Sequence, residues 1–297
     1  MPKPIPAPRA EGFTTTTSSP LYWAKYGREG APKLLVLHGG PGADHLYLLP
    51  QMLHLAEKHD LLFYDQRGGG QSKSDARVPI TWENHVEDLA AVIEEFGLDP
   101  LSIVGYSWGA MLALLYVIEQ RGNPHLRAPD RMALINPAPL TKEYRQQFEA
   151  EFNRRQQSPE IRKLRDDLAA SGLREKNPEA YRQRAFELGV AGYFSDPRNA
   201  KDLTPFRVVG RIQQSVWESL GNFDLISDLK GIKIPSIVIA GRDDPIPLAS
   251  SSEASSALGT NLVVLDECGH VPYVEQPERL FASLDPFLDE TNSPARS

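Results

Sequence analysis

The sequence predicts an α/β fold, a mostly parallel, doubly wound sheet interrupted by one helical insertion. Short continuous apolar runs break abruptly into glycine or polar residues at 33–42 (KLLVLHGGPG), 61–70 (LLFYDQRGGG) and 101–105 (LSIVG), as strands buried on both faces do. Segments of helical spacing separate them, as βαβ units require. From about Pro139 to Asp224 the chain turns helix-like and charged, and strands then resume. A length of 297 residues suits one large α/β core carrying such an insertion.

Taken in order, the first ten residues, MPKPIPAPRA, hold four prolines, which disfavour helix and sheet alike. An extended arm is expected over 1–20, outside the core. Over 81–97 the period becomes helical, with Val86, Leu89, Ala90, Ile93 and Phe96 on one face, Thr81 as N-cap and Gly97 as the stop. The helix after Ser107 carries Met111, Leu112, Leu114, Leu115, Val117 and Ile118, apolar around most of its circumference, so burial on several sides is expected. Arg131 to Ile135 reads as a further strand, followed after the insertion by IPSIVIAG (234–241) and NLVVL (261–265). An amphipathic helix with Leu280, Phe281, Leu284 and Leu288 closes the chain. The expected division is therefore a core of 21–137 and 227–297, with a helical cap at 138–226.

Composition narrows the function. Mean hydropathy of -0.37 and the lack of any apolar run near 18 residues argue against a membrane span. A formal charge of -7 leaves no basic footprint for nucleic acid. The lone Cys268 cannot form an intrachain disulfide, and the N-terminus lacks the apolar stretch of a secretory signal. A cytoplasmic protein acting on a small molecule or short peptide is expected, with no nucleic-acid or membrane partner.

The chemistry concentrates in a few places. Gly105-Tyr106-Ser107-Trp108-Gly109 is a GxSxG between an apolar strand and a buried helix, the context in which a serine stands on a sharp turn with its hydroxyl exposed. Such a serine needs a base, and the base needs a carboxylate to orient it and to stabilise its cation. Asp244, in GRDDPIP, and His270, in DECGHVPYVEQPE, each follow a predicted strand and occur in the chain order serine, acid, histidine. Asp243 is the neighbouring alternative to Asp244, whereas Asp266 and Glu267 read as turn or surface residues. The loop His38-Gly39-Gly40-Pro41-Gly42 is the candidate oxyanion loop, with the backbone amides of Gly40 and Trp108 as donors. His38 reads as a structural residue of that loop, and Cys268 as a packing residue.

These motifs, HGGPG, DQRGGGQS, GYSWGA, GRDDPIP and GHVPYVEQPE in that order, resemble the α/β-hydrolase fold and within it the prolyl aminopeptidase (proline iminopeptidase) family. The resemblance implies Ser107 as nucleophile, His270 as base and then acid, Asp244 as its partner, and no cofactor. Asp65 and Arg67 of DQRG also match that family, and they read as hydrogen-bonded structural residues beside the floor of the site. The family's cap carries carboxylates for the substrate's free amino group, one of them in a Glu-x-His-Tyr-Phe segment. Here the matching stretch is Val190-Ala191-Gly192-Tyr193-Phe194, without the glutamate or histidine. Glu187, Glu218 and Asp224 could substitute, although each also reads as ordinary surface charge.

Three functions are consistent with these residues. The first is an aminopeptidase-like serine hydrolase releasing proline or another small N-terminal residue from peptides, amides or arylamides. The second uses the same triad on carboxylic esters or lactones. The third is a ligand-binding receptor with little turnover, which an intact triad and oxyanion loop disfavour.

Overall fold

The computed structural model describes residues 4–75 and 77–289. Eight strands form one sheet: β1 (Ala10–Phe13), β2 (Tyr22–Tyr26), β3 (Lys33–Leu37), β4 (Asp60–Tyr64), β5 (Ser102–Tyr106), β6 (Arg131–Ile135), β7 (Ser236–Gly241) and β8 (Asn261–Leu265), in spatial order β1-β2-β4-β3-β5-β6-β7-β8. From β4 to β8 every neighbouring pair is parallel, and β1 and β2 add an antiparallel edge. Strand alternation divides the core in two. On β3, Leu35 and Leu37 join the cluster under α1 (Trp82–Glu95) and α2 (Trp108–Gly122). Leu34 and Val36 face the opposite cluster, with Leu280 and Leu284 of α11 (Pro277–Asp289). At roughly 2 kcal/mol per buried leucine, this two-sided burial is the main force holding the sheet.

The helices expected from periodicity form where the caps put them. Thr81 accepts from the Asn84 amide, and the Asn84 side chain accepts in return from the Thr81 amide, a reciprocal cap that starts α1. Its buried face holds Val86, Leu89 and Ile93 as expected, while Ala90 and Phe96 are only partly covered. Val92 and the polar His85 and Asp88 take their share of that face. Polar groups enter it because Gln66 and Arg67 on the adjoining loop supply partners. On α2, every residue from Trp108 to Val117 is buried.

The N-terminal segment departs from expectation. Ala10–Phe13 is not a free arm but the edge strand β1, paired in register with Tyr22–Lys25. Proline bias extends only through Pro8, and beyond it an edge position needs ladder bonds on one side alone. Residues 1–3 of the expected arm and 290–297 of the expected core lie outside the described residues.

Between β6 and β7, no strand occurs among the described residues. Helices α3 (Lys142–Gln156), α4 (Pro159–Ala170), α5 (Leu173–Lys176), α6 (Pro178–Val190), α7 (Gly210–Ser219) and α8 (Leu225–Leu229) fill the interval. A single antiparallel bridge, Thr141 to Asp224, joins the two ends of this insertion at its base. The remaining helices are α9 (Leu248–Leu258), between β7 and β8, and α10 (Pro272–Glu275), which precedes α11.

Candidate active site

Ser107 occupies the turn between β5 and α2 with φ 53° and ψ -118°, a left-handed conformation that non-glycine residues rarely hold. The flanking glycines explain how the chain accommodates it. A Cβ at Gly105 would lie 2.6 Å from the Ala110 Cα, and one at Gly109 would lie 2.2 Å from the Leu37 carbonyl oxygen. The turn is tied down on both sides, its amide donating to Ile135 O and its carbonyl accepting from Ala110, Met111 and Ala138.

Three side chains distant in sequence converge there. His270 Nδ1 donates to Asp244 Oδ2 at 2.7 Å, which leaves Nε2 to accept from the Ser107 hydroxyl at 2.9 Å. The side chains of His270 and Asp244 are both largely shielded from solvent. The second carboxylate oxygen of Asp244 accepts from the Ile246 amide, so the acid is held at both ends. Asp243 points elsewhere and accepts from the Ser195 hydroxyl of the insertion. Of the other nearby acids, Asp266 pairs with Arg242 at the surface and Glu267 sits in a turn with φ 53°.

The HGGPG loop packs directly on the nucleophile, where a Cβ at Gly39 would approach the Ser107 Cβ to 2.7 Å. The Gly39 amide donates to the Tyr47 hydroxyl. Gly40 has φ 56°, and its carbonyl accepts from Ala43. No acceptor among the described residues takes the amide of Gly40 or that of Trp108. His38 is fully buried and neutral, burial pushing it down to about 4, with Nε2 accepting from the Gln66 amide. Asp65 is also buried. Although burial alone would raise its carboxyl, hydrogen bonding and charge from His45 and the Gln71 amide bring it below the usual range. Arg67 donates twice to Asp88. Cys268 is buried, and burial raises its thiol well above the ordinary value.

Several contributors lay outside the sequence reading. Asn136, just after β6 and before Pro137, donates to Gly269 O and accepts from the Gly241 amide, joining the histidine loop to the acid-bearing strand. Tyr106, the x of GxSxG, donates to the His270 carbonyl, and the His270 amide donates to Tyr193 O. The Tyr193 ring lies 5.2 Å from the imidazole. Glu275 accepts from the amides of Gly269, Ser195 and Asp196. Burial pushes its carboxyl up to about 7 against the pull of those amides. The histidine is thus gripped from the sheet by Tyr106 and from the insertion by Tyr193. An Asn-Pro after an apolar run and the glutamate of GHVPYVEQPE were the available signals.

The three carboxylates weighed for an amino group are all occupied. Glu187 is buried against Arg184 and Gln183, Glu218 accepts from Gln214, and Asp224 caps α8. A cleft of about 1690 Å³ opens between the insertion and the loops at Asp44–Leu46 and Gly70–Lys73, with Glu187 and Phe206 on its wall. The triad does not line this cleft. One aromatic layer intervenes, as Phe206 packs 4.4 Å from Tyr47, which in turn accepts from Gly39.

Against this geometry, the chain matches the model of the alpha/beta hydrolase family over residues 34–283. It belongs to that family. A proline iminopeptidase of Heyndrickxia coagulans is 30% identical over 94% of this chain and 98% of its own length. Among solved structures, a proline iminopeptidase-related protein of Thermus thermophilus superposes with a TM-score of 0.71 at 22% identity, covering 94% of this chain and 96% of that one. The proline iminopeptidase of Mycobacterium smegmatis gives 0.66 at 22% identity, over 94% and 97%. The expected resemblance and the expected fold both hold, and the protein is a hydrolase.

Proposed function

We propose that this hydrolase works by acyl transfer through Ser107, with His270 as base and Asp244 as its partner. The observation that carries the reading is the unbroken chain of hydrogen bonds from the Asp244 carboxylate through the imidazole to the Ser107 hydroxyl. In the first half-reaction Ser107 Oγ attacks the substrate carbonyl as its proton passes to His270 Nε2, and the amides of Gly40 and Trp108 receive the oxygen that becomes negative. His270 then protonates the leaving amine or alcohol. Water, deprotonated by the same histidine, releases the acyl group and restores the serine.

The substrate class follows the relatives. Their similarity over nearly the whole chain supports release of a small N-terminal residue, proline among them, from peptides, amides or arylamides. A second reading, hydrolysis of carboxylic esters or lactones, is favoured by the prior engagement of Glu187, Glu218 and Asp224. A buried ammonium group without its own carboxylate is costly, whereas an ester needs none. Rates on proline arylamide, alanine arylamide and a short acyl ester, with and without an N-blocking group, separate the two. The aminopeptidase reading expects arylamide preference that blocking abolishes. Preference for the ester, indifferent to blocking, would overturn it.

A further inference from the structure

The DQRGGG motif contains a residue with no part in the triad and an unusual set of bonds. Gln66 is 1% exposed and sits between the two segments that carry the proposed oxyanion donors. Its amide donates to His38 Nε2 at 3.0 Å, and its side-chain Nε2 donates to the His38 carbonyl at 2.7 Å. Its Oε1 accepts from Trp108 Nε1 at 2.8 Å and from His85 Nδ1 at 3.1 Å.

These bonds admit one arrangement. The indole N–H can only donate, so Gln66 must turn its oxygen toward Trp108 and its nitrogen toward His38. His38, accepting at Nε2, carries its proton on Nδ1 and bonds Gly39 O at 2.8 Å. His85 donates through Nδ1, leaving Nε2 buried with no partner among the described residues. Burial holds both imidazoles neutral, His38 at about 4 and His85 at about 3, so the network keeps one protonation pattern through the neutral range. Gln66 thereby clamps the backbone two residues before Gly40 on one side and the side chain of Trp108 on the other.

We propose that Gln66 is the positioning residue of the oxyanion hole, fixing the separation of the Gly40 and Trp108 amides through its bonds to His38 and to the Trp108 indole. The inference rests on the acyl-transfer reading above. A pair of donors stabilises a developing oxyanion only if both are aimed before the charge appears, and preorganisation of this kind acts on the transition state rather than on the bound substrate.

The test uses Gln66→Met, which keeps the length and the main-chain bond to His38 but loses the side-chain bonds, and Trp108→Phe, which deletes the indole N–H link together with part of the buried ring. Turnover is measured on whichever of p-nitrophenyl acetate and proline p-nitroanilide the wild type cleaves faster. Inhibition by benzyl trifluoromethyl ketone is measured alongside. With that ketone, Ser107 Oγ adds to the carbonyl carbon, the hydroxyl proton moves to His270 and the carbonyl oxygen becomes the oxyanion.

Gln66→Met is expected to lower kcat about 10- to 100-fold and to weaken the ketone by the same factor, Trp108→Phe to do so less. KM should stay within about twofold, and the pH midpoint of kcat/KM should not move, because His270 is untouched. Wild-type kcat and ketone affinity in Gln66→Met overturn the proposal, as does a kcat loss without a matching loss of ketone binding. Should Gln66→Met fail to fold, Trp108→Phe decides in the same way. Ser107→Ala serves as the separate control. Retained hydrolysis there refutes the acyl-transfer reading itself, whereas an inactive Ser107→Ala beside an unaffected Gln66→Met refutes only the role of Gln66.

Discussion

The sheet with its flanking helices and the inserted helical segment fold by different rules. Helix α2, in the first, buries every residue from Trp108 to Val117. Helix α3, in the second, is of equal length and buries only Gln156. The insertion compensates locally, with side-chain caps on Thr141, Ser158 and Asn177 and ion pairs one turn apart such as Arg145–Glu149 and Arg155–Glu151. It carries 15 basic and 13 acidic residues over 138–226, while the remainder of the chain is strongly acidic. Many of these charges are spent within the helices rather than against the sheet. The contrast teaches where stability and the proposed chemistry reside: the first region supplies the rigid frame and the groups proposed to react, and the second leans on them through Tyr193 and Ser195.

The sharpest way to break this comparison is at the proposed nucleophile. Ser107→Ala should reduce kcat/KM on the order of 10⁶-fold while leaving the unfolding transition unchanged, since the loss is chemical. Hydrolysis at the wild-type rate would sink the assignment. A stability contrast comes next. Leu114→Ala, at a site with no exposure, should cost about 3 kcal/mol in denaturant unfolding, and Leu168→Ala on α4 about 1 kcal/mol or less. Equal losses would mean that the insertion is as tightly packed as the sheet.

Where the two regions meet, Glu275 gives a pH signature. Its carboxyl is raised by burial from 4.5 to about 7, so the folded state favours its protonated form. That contribution is complete below about pH 4.5 and is lost as pH rises through 7. The wild type should therefore gain stability relative to Glu275→Gln as pH falls from about 8 to about 5, by at most about 3 kcal/mol. A difference that stays constant, or that grows toward high pH, contradicts the burial argument. The smallest effect belongs to the exposed pair on α3. Glu149→Gln should shift unfolding by less than about 0.5 kcal/mol and leave kcat alone.

Much of this was legible because each element carries its own local reason. The reciprocal cap at Thr81, the positive φ at Gly97 and the apolar girth of α2 all follow from residue type and spacing. Ser107, Asp244 and His270 were legible because each follows the carboxyl end of a strand, and a parallel sheet brings such ends to one edge. β1 was missed because a short edge strand needs neither alternation nor an apolar run. Gln66 and Asn136 were missed for a different reason. Their roles consist entirely of partners far along the chain, and a buried amide looks the same in sequence as an exposed one.

By itself, then, the sequence determined the periodicities, the turns and the groups proposed to react, because these depend on sterics and hydrophobic spacing within a few residues. The tertiary structure alone decided that Asp243 turns to Ser195, that Glu187 is taken by Arg184, and that two neutral histidines and a glutamine brace the loops beside Ser107. Those outcomes depend on direction and burial. A hydrogen bond forms only when donor and acceptor are aimed at each other within about 3 Å, and that condition exists only after distant segments have packed.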